Sequence, residues 1–377
     1  MNTELSRFAA RLRELIHSDF PGGNFDALAR ELFALQFKHS AAYRKICEAR
    51  ELTPETAGHW TQIPAVPAAA FKELTLTSLA PGERTAVFHS SGTTAQTPSR
   101  HFHCAESLAV YETSLWKWFQ QNLFSNSAFG IRHSELLVLT PPPEQAPNSS
   151  LVHMFETVRR KTGAPESVFV GKIEADGVWT LDFDAALAAL RSSLVTRHSS
   201  LFLGTAFSFV HLLDYLAEND LQFQLPAGSR VMETGGYKNR ARAMPKAELH
   251  ALITERLGVP RENILCEYGM SELSSQAYSV ASDKWQVTRD VAPSCHPSPV
   301  TRHFLFPPWA RARIISPETD REAGDGKPGL IRVFDLANVF SVAAIQTEDL
   351  AVRRGEGFEL IGRAERAEPR GCSLMTA

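Results

Sequence analysis

Cysteine is scarce in this sequence: five residues in 377, Cys47, Cys104, Cys266, Cys295 and Cys372, odd in number and widely scattered. No Cys-x-x-Cys pair occurs, which excludes a disulfide framework and predicts reduced thiols in a cytoplasmic protein. Long apolar runs are also missing. The most apolar stretch, Leu201 to Leu213, contains Ser208 and His211 and is too short to span a bilayer. The opening Met1-Asn2-Thr3-Glu4-Leu5-Ser6-Arg7 lacks the form of a signal peptide. There is no basic excess, since 39 Lys+Arg stand against 42 Asp+Glu for a formal charge of −3. That balance argues against a binder of nucleic-acid phosphates. What remains is an ordinary globular composition, 44% hydrophobic and 21% charged, in a chain long enough to bury a large core unaided.

The first fifty residues read as helices. Leu5, Phe8, Leu12 and Leu15 share one face, and Phe25, Leu28, Leu32 and Leu35 repeat the spacing after Pro21-Gly22-Gly23. From about residue 80, short β-prone runs (Thr85–Phe88, Leu136–Thr140, Leu201–Leu203, Arg230–Met232, Ile264–Cys266) alternate with helical stretches such as Phe207–Leu216 and Lys246–Leu257. That alternation predicts an α/β fold with βαβ units. The last eighty residues are strand-rich, with Ala310–Ile315, Leu330–Phe334, Ala343–Gln346 and a hairpin around Arg354–Gly357. Two Pro/Ser-rich stretches, 141–150 and 292–299, read as exposed loops.

Four segments carry candidate chemistry. The loop Ser90-Ser91-Gly92-Thr93-Thr94 follows a strand, and its hydroxyls and backbone N–H groups suit a polyphosphate, although no Gly-Lys-Ser/Thr makes it a Walker loop. Glu233-Thr234-Gly235-Gly236-Tyr237-Lys238 leaves another strand, and its glycines let backbone approach a flat ligand. Tyr268-Gly269-Met270-Ser271-Glu272 joins an aromatic, a hydroxyl and a carboxylate, a set able to stack on a base and hold a metal beside phosphates. Asp349, followed by Gly362-Arg363, offers a carboxylate for ribose hydroxyls and an arginine for charge-assisted bonds. Each segment alone is most often an ordinary turn or a solvated surface; their order along the chain gives them weight.

In that order they resemble the adenylate-forming superfamily, which covers acyl-CoA synthetases, luciferases and peptide-synthetase adenylation domains. The resemblance implies an α/β large N-terminal domain with ATP and Mg²⁺ as cofactors. It assigns Ser90, Ser91, Gly92, Thr93 and Thr94 to phosphate. It assigns Gly235, Gly236 and Tyr268 to adenine, Tyr237 and Gly269 to cofactor binding beside them, Ser271 to phosphate, Glu272 to magnesium, and Asp349 and Arg363 to ribose. Two departures matter. The family's Gly-x-Pro-Lys is replaced by Ala95-Gln96-Thr97-Pro98-Ser99-Arg100, and the sequence ends soon after Arg363, where the family has a lid with a catalytic lysine. The lid and its lysine are thus expected to be absent, with Lys238 as a compensating catalytic cation.

From about Ile63-Pro64-Ala65-Val66-Pro67 onward the sequence resembles the acyl-protein synthetases of the LuxE family, which supply acyl groups in bacterial bioluminescence. Gly204-Thr205-Ala206-Phe207, Pro307-Pro308-Trp309, Asp335-Leu336-Ala337-Asn338 and Arg370-Gly371-Cys372-Ser373-Leu374 carry that likeness together with the loops above. It implies activation of a fatty or related carboxylate to acyl-AMP and transfer to Cys372, beside Arg366 and Arg370. The acyl group then passes to a partner acyl reductase that uses NADPH. By family position, His89, Gly204, Thr205 and Phe207 line the acyl pocket. No nucleic-acid partner and no integral membrane segment are expected. The expected organisation is a helical segment over 1–80, a nucleotide-binding α/β core over 81–300, a strand-rich part over 301–363 and a mobile cysteine-bearing tail over 364–377. Cys266 reads as apolar core, and Cys295, His296 and His303 lack a fourth ligand for a metal. Two alternatives stand: a ligase that delivers the acyl group to CoA or a carrier-protein thiol with Cys372 incidental, and an inactive acyl- or nucleotide-binding protein.

Overall fold

The computed structural model describes residues 3–90, 97–124, 135–164, 167–235, 244–281 and 302–364. Apolar residues at helical spacing make α1 (Thr3–His17) and α2 (Phe25–His39), which bury Leu5, Phe8, Leu12 and Ile16, and Phe25, Leu28 and Leu32. Leu15 and Leu35 flank those stripes half-buried. Helix α3 (Ala41–Glu48), the short strand β1 (Val66–Pro67) and α4 (Ala70–Glu73) follow. Strand β2 (Ala86–His89) turns back as β3 (Arg100–His103), with Phe88 opposite His101 and His89 opposite Arg100. The run expected at Thr85–Phe88 is therefore half of a separate hairpin and not part of a βαβ unit. Its partner is the next strand in the chain, antiparallel to it, and that strand alternates in burial.

Helix α5 (Ala105–Leu123) precedes β4 (Glu135–Val138), and α6 (Ser150–Thr162) precedes β5 (Ser167–Phe169). A small hairpin, β6 (Gly171–Ile173) with β7 (Trp179–Leu181), leads to α7 (Phe183–Thr196). Then β8 (Ser200–Thr205), α8 (Ala206–Glu218), β9 (Arg230–Thr234), α9 (Lys246–Leu257) and β10 (Ile264–Tyr268) complete a parallel run in the order β5-β4-β8-β9-β10. The middles of these strands, such as Leu136–Val138, Leu201–Leu203 and Val231–Met232, are short apolar runs because helices cover both faces. Leu136, Val138, Leu201, Leu203, Met232 and Leu265 pack with Leu115, Phe119 and Phe155 of α5 and α6. Their neighbours Leu137, Leu139, Phe202, Val231 and Ile264 point the other way, onto Leu190, Phe209, Leu213 and Ile253 of α7, α8 and α9.

Beyond β10 the sheet turns antiparallel through β11 (Ala277–Ala281) and β12 (Arg302–Leu305), continuing to β16, β15, β14 and β13. Those strands are β13 (Ala310–Ile315), β14 (Pro328–Asp335), β15 (Ala344–Arg354) and β16 (Gly357–Arg363). The β15–β16 hairpin turns at Gly355, as expected. Helices α1 to α3 share a core with β13 to β15. One buried side chain fastens α2 there. The Gln36 amide donates to the Asn338 carbonyl at 2.7 Å and the Val339 carbonyl at 3.3 Å, and accepts from the Ala343 N–H at 3.1 Å.

Gln36→Leu keeps the volume but strands those buried groups. At about 1–3 kcal/mol for each unsatisfied group, the denaturation midpoint falls by the equivalent of at least about 2 kcal/mol with the m-value unchanged. An unshifted midpoint would show that the amide fastens nothing.

Candidate functional site

The hydroxyl loop leaves β2 at Ser90 and re-enters at Ser99, and these two residues close its neck. The Ser99 N–H donates to Ser90 Oγ at 2.9 Å, and the Ser90 N–H to the Ser99 carbonyl at 3.4 Å. The His89 N–H donates to the Asn148 carbonyl at 2.9 Å, fixing the base of the loop. Arg100, opposite His89, holds its guanidinium 5.9 Å from the Phe102 ring. Its buried Nε has no hydrogen-bond partner among the described residues, so a cationic donor stands uncommitted at the neck.

The segment leaving β10 folds against that neck. Ser99 Oγ lies 3.5 Å from Ser271 Oγ, Ser271 Oγ donates to the Glu272 carboxylate at 3.1 Å, and His101 Nδ1 donates to the Ser271 carbonyl at 2.9 Å. Glu272 is buried, and burial pushes its carboxyl above the ordinary range against hydrogen bonds from Ser99 and Ser271. A buried, hydroxyl-ringed carboxylate is a fitting oxygen ligand for a hard dication. A Cβ on Gly269 would press on the Glu267 carboxylate and oblige that side chain to shift.

A second buried carboxylate supports this segment. Asp335 accepts from the Ser274 N–H (2.9 Å), the Ser275 hydroxyl (2.7 Å) and the Ala337 N–H (2.9 Å). Asn338 Nδ2 donates to the Glu272 carbonyl at 2.9 Å and to the Val342 carbonyl at 3.0 Å. Burial pushes Asp335 up to about 6 even with three donors.

The third corner is the β15–β16 pair, where Asp349 stands opposite Arg363. The Tyr268 hydroxyl donates to Asp349 Oδ2 at 2.8 Å, Arg363 Nε lies 4.0 Å from Oδ1, and Arg363 also reaches Glu348 at 3.4 Å. The Tyr268 ring is enclosed by Phe304, Phe306 and Phe358, so its hydroxyl is what it presents to Asp349. Gly235 ends β9 at φ +73°, a left-handed turn that favours glycine, with open space where a Cβ would point. Among the described residues, the structure thus joins Ser90, Ser99, Ser271 and Glu272 in one cluster and Tyr268, Asp349 and Arg363 in another. Of the candidate residues in the sequence, Ser91, Gly92, Thr93, Thr94, Gly236, Tyr237, Lys238, Cys295, His296 and Cys372 lie outside the described residues.

The residues expected at the acyl pocket have local work. A Cβ on Gly204 would stand 3.0 Å from Leu139 Cβ and 3.1 Å from the Phe209 ring, so a larger residue there would have to push those side chains aside. Thr205 caps α8 by accepting the Ser208 N–H at 3.0 Å, and the Phe207 ring lies 4.3 Å from that of His211. Thr205 also begins a register row, Thr205–Thr234–Glu267, across the carboxyl ends of β8, β9 and β10, where α/β sheets bind ligands. Glu267 is fully buried, accepts the Thr234 hydroxyl, and is pushed up to about 7 by burial. Sequence reasoning gave no role to Glu267, Ser99, His101, Asp335 or Asn338. Ser99 lies in the stretch that replaces the family's Gly-x-Pro-Lys and Asp335–Asn338 in one that carries the LuxE likeness, whereas nothing local in the sequence marks His101.

Residues 25–377 match the family described as acyl-protein synthetase, LuxE. The chain belongs to that family. It is accordingly a ligase. This LuxE-family chain is similar to the long-chain-fatty-acid–luciferin-component ligase of Aliivibrio fischeri, at 22% identity over 372 residues, covering 93% of this chain and 87% of that one. The Vibrio harveyi protein of the same name is 21% identical over 364 residues, covering 92% and 85%. A 2-hydroxyisobutyryl-CoA ligase solved with 2-HIB-AMP and CoA superposes with a TM-score of 0.64 at 13% identity, over 92% of this chain and 70% of that one. Its open conformation gives 0.63 at 12% identity, over 89% and 68%. The expected adenylate-forming α/β fold is therefore present. Among the described residues no helix is long and apolar enough to cross a membrane.

Glu267 gives a pH prediction. Its folded value, about 7, exceeds the ordinary 4.5, so its contribution to stability is complete below about pH 4.5 and is lost as pH rises through 7. That loss is of order 3 kcal/mol by linkage. Glu267→Gln should flatten the stability profile between those limits in denaturant titrations; an unchanged slope would mean that Glu267 does not titrate there.

Proposed function

We propose that this LuxE-family ligase activates a long-chain fatty or related carboxylate with ATP and then carries the acyl group on Cys372. A carboxylate is a poor acyl donor because its oxygen is a poor leaving group. In the first step the carboxylate oxygen attacks the α-phosphorus of ATP, giving acyl-AMP and releasing pyrophosphate. In the second the Cys372 thiolate attacks the acyl carbonyl, the thioester forms, AMP leaves, and the thiol proton passes to solvent. The sequence neighbours Arg366 and Arg370 favour the thiolate. The names of the two relatives support a long-chain fatty acid, and the LuxE resemblance supports an acyl reductase as the partner that receives the acyl group.

The observation that carries this reading is the meeting of two distant segments, the Ser90–Ser99 neck and Ser271–Glu272, at Ser99 Oγ and Ser271 Oγ. Together they present hydroxyls, a buried carboxylate and the uncommitted Arg100 Nε. In this reading Ser90 to Thr94 and Arg100 bind phosphate, Lys238 adds charge, and Glu272 holds Mg²⁺. A bound magnesium ion neutralises the phosphate charge that develops in the transition state. Asp349 takes the ribose hydroxyls, positioned by Tyr268 and Arg363, while Gly235, Gly236 and Tyr237 are the residues assigned to the base. Positioning and charge neutralisation account for catalysis of this kind.

Fatty-acid-dependent ATP–pyrophosphate exchange should fall at least about 100-fold in Glu272→Ala; exchange within a few-fold of the parent refutes the assignment. With labelled fatty acid and ATP, Cys372→Ser should lose hydroxylamine-labile protein label while keeping exchange. Label that survives in Cys372→Ser, or turnover that requires CoA, would make Cys372 incidental.

A further inference from the structure

Glu233 and Cys266 are register partners on β9 and β10, and their side chains lie on the α9 side of the sheet, where they meet His250. All three are buried, Glu233 at 0%, His250 at 4% and Cys266 at 4% exposure. Glu233 Oε1 lies 3.4 Å from His250 Nε2, Cys266 Sγ lies 3.7 Å from the same Nε2, and Sγ stands 2.6 Å from Oε1. Lys246, on the first turn of α9, places its ammonium 3.0 Å from Oε1 with its side chain 41% exposed. The expectation of Cys266 as apolar core is thus half right: the thiol is buried, but among ionisable groups.

Burying a carboxylate needs partners on both oxygens. Oε1 has several, but Oε2 is buried with no hydrogen-bond partner among the described residues. That unmet requirement belongs to a residue whose other oxygen already stands in a cluster of a sulfur, an imidazole nitrogen and a carboxylate oxygen. That set matches zinc and similar borderline-soft dications, and not the all-oxygen preference of magnesium. Ligand atoms about 2.0–2.3 Å from a tetrahedral zinc stand roughly 3.3–3.7 Å apart. The two separations to His250 have that size, while the Cys266–Glu233 pair is drawn closer by its own hydrogen bond.

The geometry points to a metal site formed by Glu233, His250 and Cys266 that binds one zinc-like dication, separate from the Glu272 magnesium position and independent of the proposed reaction. Binding replaces the thiol proton: the Cys266 S–H breaks, the metal–sulfur bond forms, and one proton leaves for solvent. The two negative ligands then balance the dication, and Lys246, on the open side, keeps the carboxylate as its hydrogen-bond acceptor. Glu233 sits one residue before the Thr234–Gly235 turn, and His250 lies on the helix that follows it, so the ion clasps the two ends of the segment carrying Gly235 to Lys238. Without an ion, the buried Glu233 forms a plain ion pair with the half-exposed Lys246 beside a thiol that burial pushes up to about 12, and that is the competing outcome.

The test uses the full chain, stripped with a chelator and titrated with zinc and with cobalt(II). The expected result is one equivalent bound, a near-ultraviolet thiolate-to-cobalt charge-transfer band, and a rise in melting temperature that the chelator reverses. Cys266→Ser and His250→Gln, checked for folding by circular dichroism, should bind at least about tenfold more weakly and lose the band, whereas Cys295→Ser and Cys372→Ser should keep it. No cobalt–thiolate band in the parent, or a band that persists in Cys266→Ser, overturns the site. Should both cluster variants unfold, zinc-edge X-ray absorption on the parent protein decides: one sulfur with nitrogen and oxygen neighbours supports the assignment, and a shell without sulfur overturns it.

Discussion

Asp335 holds together the part of the molecule on which the proposed chemistry depends. A buried carboxylate costs several kcal/mol unless its oxygens are satisfied. Here three donors meet it, two from Ser274 and Ser275 and one from Ala337. That bond set ties the segment leaving a parallel strand, β10, to the end of an antiparallel one, β14. Asn338 extends the tie to the Glu272 carbonyl, and Gln36 extends it to the N-terminal helices through the Asn338 carbonyl. The position of the Glu272 carboxylate thus follows from a hydrogen-bond path that runs from α2 through the β14–β15 connection.

The row at the carboxyl ends of the parallel strands shows how one register serves two environments. Thr205, Thr234 and Glu267 share one row, while the preceding row, Gly204, Glu233 and Cys266, points to the opposite face. A shift of one residue would exchange them. Apolar contacts above and below each strand fix the alternation, so packing in the core determines which carboxylate meets which layer of helices. Both carboxylates are fully desolvated, yet they differ. Lys246, His250 and Cys266 outweigh burial and keep Glu233 below the ordinary range, whereas Glu267 has chiefly the Thr234 hydroxyl and rises.

Much of this was legible in the sequence, for physical reasons. The parallel strands are buried on both faces and so read as short continuous apolar runs, and α9 spans Lys246–Leu257 as its pattern predicts. The glycine-bearing loops stood out because each follows such a run. Three features were not legible. The hairpin of β2 with β3 competes with a βαβ reading that local pattern cannot separate. The enclosure of Tyr268 by Phe304, Phe306 and Phe358 depends on strands distant in sequence. The contacts of Ser99 with Ser271, and of Asp335 with Ser274 and Ser275, join residues far apart in the chain, and isolated serines and aspartates announce no such partners.

In the proposed function, these loops form one adenylate site on a LuxE-family scaffold. A crystal structure of the full chain with a non-hydrolysable acyl-adenylate analogue and Mg²⁺ tests it most directly. The ribose should lie on Asp349, and the phosphate mimic against the Ser90–Thr94 loop and Ser271. An analogue bound elsewhere, with the Tyr268–Asp349 bond and the Ser99–Ser271 contact undisturbed and no ligand beside them, would contradict it.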